Sequence, residues 1–319
     1  MTGRVLVTGA AGFAGSHLLD LLGAGGVPVV AWRRPGEPLP AAPTGEGCAW
    51  MEVDILDRAA VGRAVAEAAP SVVYHLAGAA HVGHSWSDSA ATLAVNALGT
   101  WNVLSALAAR PDPPRTLVSG SALVYRQQDR AIAEDDPLGP ASPYAVSKLA
   151  QEVAALHAWR DLGLPVIVTR SFNHIGPRQS PSFSSASFAR QIALAEAGRA
   201  PLVLRVGHLE PRRDLTDVRD IVSAYRRLAD GGRPGAVYNV CSGRAVRVGE
   251  VLEGLVAQAR VRVEVRVDEG LLRPHDAPLV LGSPARIREE TGWEPHVPLG
   301  DTLRDLLEYW RAETGAGQR

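Results

Sequence analysis

The sequence predicts an α/β fold, in which a doubly wound parallel sheet is followed by a smaller C-terminal lobe. Apolar runs that read as buried strands alternate with alanine- and leucine-rich helical stretches. This alternation is typical of a parallel sheet covered by helices on both faces. The first apolar run leads directly into a glycine-rich turn and then a helix. From about Asn173 the predicted elements become shorter and arginine becomes frequent.

Seven short strands are predicted along the chain. They lie at residues 4–8, 27–32, 49–53, 71–76, 116–121, 166–171 and 237–240. The helices predicted between them lie at 16–22, 58–68, 90–109 and 144–160. Because crossovers between parallel strands are right-handed, a ligand is expected at the carboxyl ends of the strands.

Two lobes are predicted, at residues 1–172 and mainly 173–319. A polar, proline-containing loop at 179–185 precedes a predicted helix at 186–197 in the second lobe. The strand at 237–240 is expected to return to the main sheet, so residues 236–242 are assigned to the first lobe.

Composition and charge narrow the function. The formal net charge is −1 at pH 7, so no overall field recruits nucleic acid or an anionic membrane. Two cysteines, Cys48 and Cys241, provide no disulfide framework, which favours a cytoplasmic location. The apolar stretch at 5–32 contains His17, Asp20 and many glycines. Neither a signal peptide nor a membrane-spanning helix is therefore expected there.

The turn after the first strand is predicted to bind a dinucleotide. It reads Gly9-Ala10-Ala11-Gly12-Phe13-Ala14-Gly15. Glycines permit a tight turn and close approach of the backbone to a pyrophosphate, and the following helix offers unpaired N–H donors. An ordinary turn is the alternative, but the preceding strand and the following helix favour nucleotide binding.

The end of the second predicted strand indicates which cofactor is bound. An acidic residue at this point would accept hydrogen bonds from the ribose hydroxyls of NAD and repel a 2′-phosphate. This chain has Arg33 and Arg34 instead, which can pair with that phosphate through charge-assisted bonds. NADP(H) is therefore favoured, with NAD as the second choice and a solvated basic loop as the alternative to both.

Tyr144 and Lys148 lie one turn apart on the same face of a predicted helix. A free tyrosine keeps its proton until about pH 10. A neighbouring lysine cation favours the phenolate and makes the phenol a better proton donor. The pair therefore predicts acid–base chemistry.

Together these segments resemble the extended short-chain dehydrogenase/reductase family, also described as NAD-dependent epimerases and dehydratases. Its members have a Rossmann-type fold and modify nucleotide-activated sugars, and the resemblance covers nearly the whole chain. It implies a catalytic set of Ser121, Tyr144 and Lys148, the last two also touching the cofactor. The other cofactor contacts that it implies are Asp54 and Ile55 after the third strand, and Leu76, Ala77 and Gly78 after the fourth.

The second half most resembles GDP-4-keto-6-deoxy-D-mannose reductases and GDP-mannose 4,6-dehydratases, through residues 170–177, 213–220, 238–243 and 272–274. The resemblance implies that Asn173 lies near the nicotinamide and the sugar, as Ser121 does. It also implies that Arg213 and Arg273 bind the substrate diphosphate, with Arg178 and Arg212 as weaker candidates. Any one of these arginines taken alone is more often a solvated surface residue.

Position 123 distinguishes the subclasses of this family. Dehydratases keep an acidic residue there for water elimination, whereas this chain has Leu123. The resemblance therefore implies NADPH-dependent reduction of the C4 ketone of a nucleotide-linked 4-keto-6-deoxy sugar, GDP-4-keto-6-deoxy-D-mannose to GDP-D-rhamnose. A nucleotide-sugar 4-epimerase with tightly bound NAD(P) is the nearest alternative, and a dehydratase-like enzyme is less favoured. A non-catalytic redox sensor is disfavoured because such sensors usually lack the Tyr/Lys pair.

No metal site is expected, because His75, His81 and His84 lack the cysteine or carboxylate spacing that completes a tetrahedral set. The expected partner is a nucleotide-diphosphate sugar, GDP-linked, and neither nucleic acid nor membrane. In the family, helices equivalent to 90–109 and 144–160 build a four-helix dimer seam, so the resemblance also implies a homodimer.

Overall fold

The computed structural model describes residues 3–39, 47–272 and 277–315. Within these ranges the strands, in chain order, are β1 (Val5–Thr8), β2 (Val29–Arg33), β3 (Cys48–Glu52), β4 (Val72–His75), β5 (Arg115–Ser121), β6 (Val166–Ser171), β7 (Asn173–Ile175), β8 (Val203–Val206), β9 (Arg212–Asp217), β10 (Val237–Val240), β11 (Ala245–Arg247), β12 (Glu264–Val267) and β13 (Leu279–Val280). The α-helices are α1 (Phe13–Ala24), α2 (Arg58–Ala68), α3 (Val82–Ser87), α4 (Ser89–Leu93), α5 (Thr100–Ala108), α6 (Pro143–Leu162), α7 (Ser184–Glu196), α8 (Val218–Gly231), α9 (Val248–Val256), α10 (Ala285–Thr291) and α11 (Leu299–Thr314).

In the described part of the chain, seven strands form one parallel sheet in the order β10-β6-β5-β4-β1-β2-β3. All seven predicted strands are present, and the predicted return of 237–240 to this sheet is confirmed by its pairing with β6. β1 lies between β2 and β4. Strands β2 and β3 are added on one side of β1 and β4 on the other, so the order of strand addition reverses there. This reversal opens a crevice at the carboxyl ends of β1 and β4, where ligands bind in such sheets. The predicted α/β class is confirmed.

Both faces of the sheet are buried, as a parallel sheet requires. Val5 and Val7 of β1 pack against α1 and α8 on one face, while Leu6 packs against α2, α5 and α6 on the other. The apolar residues of α8 recur at helical spacing, which turns one stripe toward the sheet: they are Ile221, Val222, Tyr225 and Leu228. Each fully buried side chain of this size contributes about 1.5–3 kcal/mol.

The smaller lobe has its own apolar core, built from residues after 173. The predicted helix at 186–197 is present as α7, which packs with α9, α11 and β8. Short strands were not predicted in this lobe. β7, β11 and β13 each pair with β9, and β12 pairs with β8.

A π-helical segment, Ala94–Gly99, joins α4 to α5. α4, this segment and α5 together make one continuous helix over Ser89–Ala108, which confirms the helix predicted at 90–109. Among the described residues it alone has the length and mean hydropathy, 1.2, of a membrane span, and 44% of that window is buried in the protein. Core helices of soluble proteins share these properties, and this helix packs against α2 and α6.

Candidate active site

The glycine-rich turn holds the ends of β1 and β4 close together. Gly9 has φ of +66°, and a Cβ there would lie 2.7 Å from the backbone nitrogen of Ala77. A Cβ on Gly15 would lie 2.2 Å from the carbonyl oxygen of Gly9, so α1 begins directly against the turn. In the described chain no side chain caps this helix at Gly12. The first-turn N–H groups, which include those of Phe13, Ala14 and Gly15, are thus available to an anion.

Arg33 ends β2 and is engaged by neighbouring acceptors. Its guanidinium lies 2.5 Å from the carboxylate of Glu52, its partner on β3, and it also donates to the carbonyl of Glu37. Arg34 is exposed, and its backbone N–H donates to the Glu37 carboxylate at 3.1 Å. A phosphate that binds Arg33 must therefore share it with Glu52 or displace that carboxylate.

The turn after β3 is fixed by its own hydrogen bonds and by α5. Asp54 is exposed and accepts a hydrogen bond from the N–H of Leu56 at 2.9 Å. Ile55 is buried, and its carbonyl accepts from the side-chain amide of Asn102 at 3.0 Å. Asn102 is a supporting residue that the sequence analysis missed.

His75, at the end of β4, is fully buried between two threonines. Its Nδ1 lies 2.8 Å from Thr8 Oγ1, and its Nε2 lies 2.8 Å from Thr100 Oγ1. Burial, reinforced by the charge of Lys148, lowers the pKa of His75 to about 3, so the ring is neutral at physiological pH. Across residues 3–39, 47–272 and 277–315, no group of three or more His, Cys, Asp or Glu side chains is placed to hold a metal ion.

Residues 76–78 continue from β4 along the floor of the crevice. Leu76 is half-buried, and the N–H of Ala77 donates to Thr8 Oγ1 at 3.2 Å. A Cβ on Gly78 would lie 2.8 Å from Asn96 Oδ1 and 3.5 Å from Lys148 Nζ. Gly78 therefore leaves the space into which these two side chains project.

The three predicted catalytic residues are brought together where β5 ends and α6 begins. Ser142 caps α6 by accepting from the N–H of Ala145 at 3.1 Å, with Pro143 in the first turn. This start places Tyr144 and Lys148 in the first turns of the helix. Ser121 ends β5, and its hydroxyl is near enough to the Tyr144 phenol to favour its ionised form. All three catalytic residues are more than nine-tenths buried.

The electrostatics of this group differ from the expectation drawn from the sequence. Burial raises the pKa of Tyr144 to about 12, and the neighbouring Ser121 hydroxyl only partly opposes that rise. The lowered Tyr144 pKa expected from the sequence is wrong in direction for this structure, where the loss of hydration sets the shift. The ammonium is instead held by the Ser119 carbonyl at 2.9 Å and by Gln151 Oε1 at 2.8 Å. Burial also lowers the pKa of Lys148, to about 8.

Leu123 lies in the 3₁₀ turn Ala122–Val124 that follows β5. Its backbone N–H donates to Ser121 Oγ at 3.2 Å, and its side chain is partly exposed. An aliphatic group therefore stands beside the catalytic serine, and it can neither accept nor donate a proton.

The predicted substrate ligands lie on different elements. Asn173 is exposed at the start of β7. Arg213 on β9 donates to the carbonyl of Ala277 at 2.7 Å, and the exposed Arg212 donates to the carbonyl of Ala245 at 3.3 Å. Arg273 lies outside the described residues.

Arg178 connects the segment after β7 to α1. It has φ of +70°, and its guanidinium donates to Asp20 at 2.5 Å and to His17 Nδ1 at 2.7 Å, both on α1. His17 donates in turn from Nε2 to the carbonyl of Pro177 at 2.9 Å. A carboxylate already holds this guanidinium, which weighs against Arg178 as a substrate ligand.

Asn96, in the π-helical segment, is a further residue of the site that the sequence analysis missed. Its Oδ1 accepts from the N–H of Ala79 at 2.8 Å, and its amide donates to Ser147 Oγ at 2.8 Å. It thereby connects the end of β4 to α6. The feature that marks Asn96 is its place in a π-helical turn, which only the structure reveals. Such turns occur frequently at functional sites.

Comparison with known proteins gives a consistent result. The family described as GDP-mannose 4,6 dehydratase matches residues 6–306. The chain is 39% identical to GDP-6-deoxy-D-mannose reductase of Pseudomonas aeruginosa over 315 residues, covering 98% of each chain. The solved structure of RMD from Pseudomonas aeruginosa complexed with NADPH superposes with a TM-score of 0.87 at 39% identity, covering 98% of this chain and 100% of that one. A UDP-glucose 4-epimerase of Thermus thermophilus in complex with NAD superposes with a TM-score of 0.85 at 29% identity, covering 97% and 99%.

Proposed function

The chain belongs to the GDP-mannose 4,6-dehydratase family of extended short-chain dehydrogenases/reductases, and from this premise we propose that it is a GDP-sugar 4-ketoreductase. It reduces the C4 ketone of GDP-4-keto-6-deoxy-D-mannose to GDP-D-rhamnose with NADPH. The observation that carries the proposal is a buried, protonated Tyr144 beside the buried Ser121, with Leu123 alongside. This site can donate a proton to a ketone oxygen and has no carboxylic acid at the position that dehydratases use for elimination.

Tyr144 is the proton donor. Its pKa of about 12 keeps the phenol protonated at neutral pH. A ketone oxygen placed against both hydroxyls accepts a hydrogen bond from Ser121 and takes the proton from Tyr144 as charge develops. The cofactor, when bound, supplies the hydride to C4. A positioned general acid contributes roughly 10²–10⁴-fold to the rate, and the Lys148 ammonium, one helical turn away, stabilises the phenolate that remains.

The crevice fits a dinucleotide cofactor. The approach of the Gly9 turn to Ala77 leaves no room for a Cβ on Gly9, which is the close packing that a pyrophosphate-binding turn requires. The side chains proposed to recognise the two ends are Arg33 and Arg34 for the 2′-phosphate, and Tyr144 and Lys148 for the nicotinamide riboside. The remaining proposed contacts are Gly12, Phe13, Ala14, Gly15, Asp54, Ile55, Leu76 and Gly78.

The substrate is a nucleotide-diphosphate sugar, and its guanine nucleotide is supported by the reductase relative. We propose that Arg213 contacts the diphosphate, with Arg273 as its partner, and that Asn173 contacts the sugar. Arg178 is the weakest of the proposed ligands because Asp20 already engages it. We also propose that residues 1–172 and 236–242 form a cofactor lobe and that the rest of 173–319 forms a substrate lobe.

We also propose a cytoplasmic homodimer. Large apolar side chains are exposed along the continuous helix Ser89–Ala108 and along α6, and their exposed fractions range from 39% to 59%: they are Leu93, Leu98, Val146, Val153, Trp159 and Leu162. An apolar strip of this kind is unusual on a monomer. A second copy of the chain, packed helix to helix, would cover it.

The test of the proposed function is cofactor consumption. Purified protein is mixed with GDP-4-keto-6-deoxy-D-mannose and NADPH, and the absorbance of the reduced nicotinamide is followed beside the nucleotide-sugar product. The proposal expects NADPH to be consumed in step with GDP-D-rhamnose. Conversion of a GDP-hexose to its 4-epimer without added reductant would instead support the epimerase alternative.

A further inference from the structure

Lysine occurs once in this chain, at position 148, and every other basic side chain apart from histidine is an arginine. The one side-chain ammonium group therefore lies in the catalytic site. Because Lys148 is buried, its charge requires polar groups around it that replace water. The structure shows which groups do so.

A chain of hydrogen bonds runs from Lys148 into the sheet. Lys148 Nζ donates to Gln151 Oε1 at 2.8 Å, and Gln151 Nε2 donates to Thr100 Oγ1 at 3.0 Å. Thr100 Oγ1 lies 2.8 Å from His75 Nε2, and His75 Nδ1 lies 2.8 Å from Thr8 Oγ1. The last four residues of this chain have no exposed surface.

The direction of each hydrogen bond follows from its chemistry. Gln151 must turn its oxygen to the ammonium and its nitrogen to Thr100, because an ammonium has only donors. The hydroxyl proton of Thr100 is then free to be donated to Nε2 of the neutral His75, whose Nδ1–H donates to Thr8. Every dipole in this arrangement presents its negative end toward Lys148, and aligned hydrogen bonds of this kind strengthen one another.

We propose that Gln151 is a positioning residue for Lys148, and that Thr100, His75 and Thr8 extend its action. This chain of hydrogen bonds keeps the ammonium charged and holds it between the Ser119 carbonyl and the Gln151 amide. The third N–H is then left for the side of Gly78, beside which Nζ lies. This inference rests on the proposed function, because it gives the hydrogen-bond chain the role of positioning the lysine that supports Tyr144 and the cofactor.

Glutamine suits this position because it supplies a strong acceptor without a net charge. A carboxylate would form an ion pair that holds the ammonium away from the crevice, and an aliphatic side chain would leave the ammonium and Thr100 each without a partner. Arg170 is neutralised by Glu152 at 2.6 Å. Besides Lys148, the titratable and charged groups on α6 are Tyr144, Glu152, His157, Arg160 and Asp161. Those on or next to the elements packed against it are His75, His84, Asp88, Arg115, Tyr125 and Arg170.

The single lysine allows a direct test. Protein labelled with ¹³C at lysine Cε gives one lysine signal, whose shift reports the protonation of Lys148. The cofactor-free wild type is titrated beside Gln151→Met, Gln151→Glu and Thr100→Val. Gln258→Met is the matched control, because Gln258 is a half-buried glutamine that donates to the carbonyl of Gly254, remote from the site.

The wild-type midpoint is expected near 8. Gln151→Met should lower it by about one unit, because a hydrogen bond to the charged form is lost. Gln151→Glu should raise it by about one unit or more, through an opposite charge. Thr100→Val should lower it by less than Gln151→Met does, and Gln258→Met should leave it unchanged.

The alkaline limb of kcat/KM should move with these midpoints. Folded Gln151 variants whose lysine midpoint equals that of the wild type would overturn the inference, even if they lost activity, since that result would indicate a purely structural role. If the midpoints move as expected but the wild type does not oxidise NADPH with the GDP-4-keto sugar, the proposed function fails and the positioning of Lys148 remains supported.

Discussion

Replacing Lys148 with methionine should change how the stability of the cofactor-free protein depends on pH. Lys148 has a folded-state pKa of about 8, against an ordinary value of 10.5. The folded protein therefore binds this proton less tightly than the unfolded chain does. Between these two pH values the unfolded chain carries the extra proton, so the wild-type free energy of unfolding rises with pH. The variant lacks this contribution.

The size of the effect follows from the shift. At about 1.4 kcal/mol per pKa unit, holding a charged Lys148 in the folded state costs roughly 3 kcal/mol near neutral pH. Roughly 2–3 kcal/mol of that should be regained between about pH 7 and pH 10. In the variant, the Ser119 carbonyl and Gln151 Oε1 lose the donor that Lys148 provided. The free-energy cost of that loss does not vary with pH, so it cancels when the difference between wild type and variant is compared across pH. The ionisation of tyrosines, common to both proteins, cancels in the same way.

Urea unfolding of wild type, Lys148→Met and Gln258→Met at several pH values in this range measures the effect. The wild type should gain roughly 2–3 kcal/mol relative to Lys148→Met as the pH rises. Gln258→Met should follow the wild type in parallel. A difference between wild type and Lys148→Met that stays constant with pH would show that the lysine pKa is not depressed by burial, and the electrostatic account of the site would be wrong.

Three other perturbations test the rest of the account. Tyr144→Phe should lower kcat by about 10²-fold or more with NADPH binding, measured by fluorescence, nearly unchanged; a fully active variant would contradict its role as acid. Arg33→Gln should weaken NADPH much more than NADH, whereas Glu52→Gln should tighten NADPH severalfold by removing the competing carboxylate; equal effects on both cofactors would contradict phosphate recognition by Arg33. Because of Leu123, the wild type should form no 4-keto product from GDP-mannose and NADP⁺ by mass spectrometry, and its detection would contradict the reading of that position.

Sequence patterns were sufficient for the elements that form the main sheet. The strands at 4–8 and 237–240 are apolar runs buried on both faces, and such runs are recognisable without knowledge of their partners. The helix at 58–68 was predicted with the bounds that α2 has. The strands of the smaller lobe were missed because elements such as β7 and β11 have only three residues. Their stability comes from pairing with distant β9, which no local pattern records.

The composition of the active site was predictable, but its electrostatics were not. Tyr144 and Lys148 were identified from their spacing and Ser121 from the family resemblance, and the structure brings the three together. Their pKa shifts depend on burial, which is a property of the assembled fold. The ion pair between Arg178 and Asp20 joins residues 158 positions apart, and the pair between Arg33 and Glu52 depends on strand register.

The most direct test of reduction at C4 is to follow the transferred hydrogen. NADPH carrying deuterium at the transferable position is incubated with GDP-4-keto-6-deoxy-D-mannose, and the product is examined by NMR and mass spectrometry. The account predicts one deuterium at C4 of GDP-D-rhamnose for each NADPH oxidised, and about 10²-fold less labelled product in the same time with Tyr144→Phe. A product without deuterium at C4, or one formed while NADPH is not consumed, would contradict it.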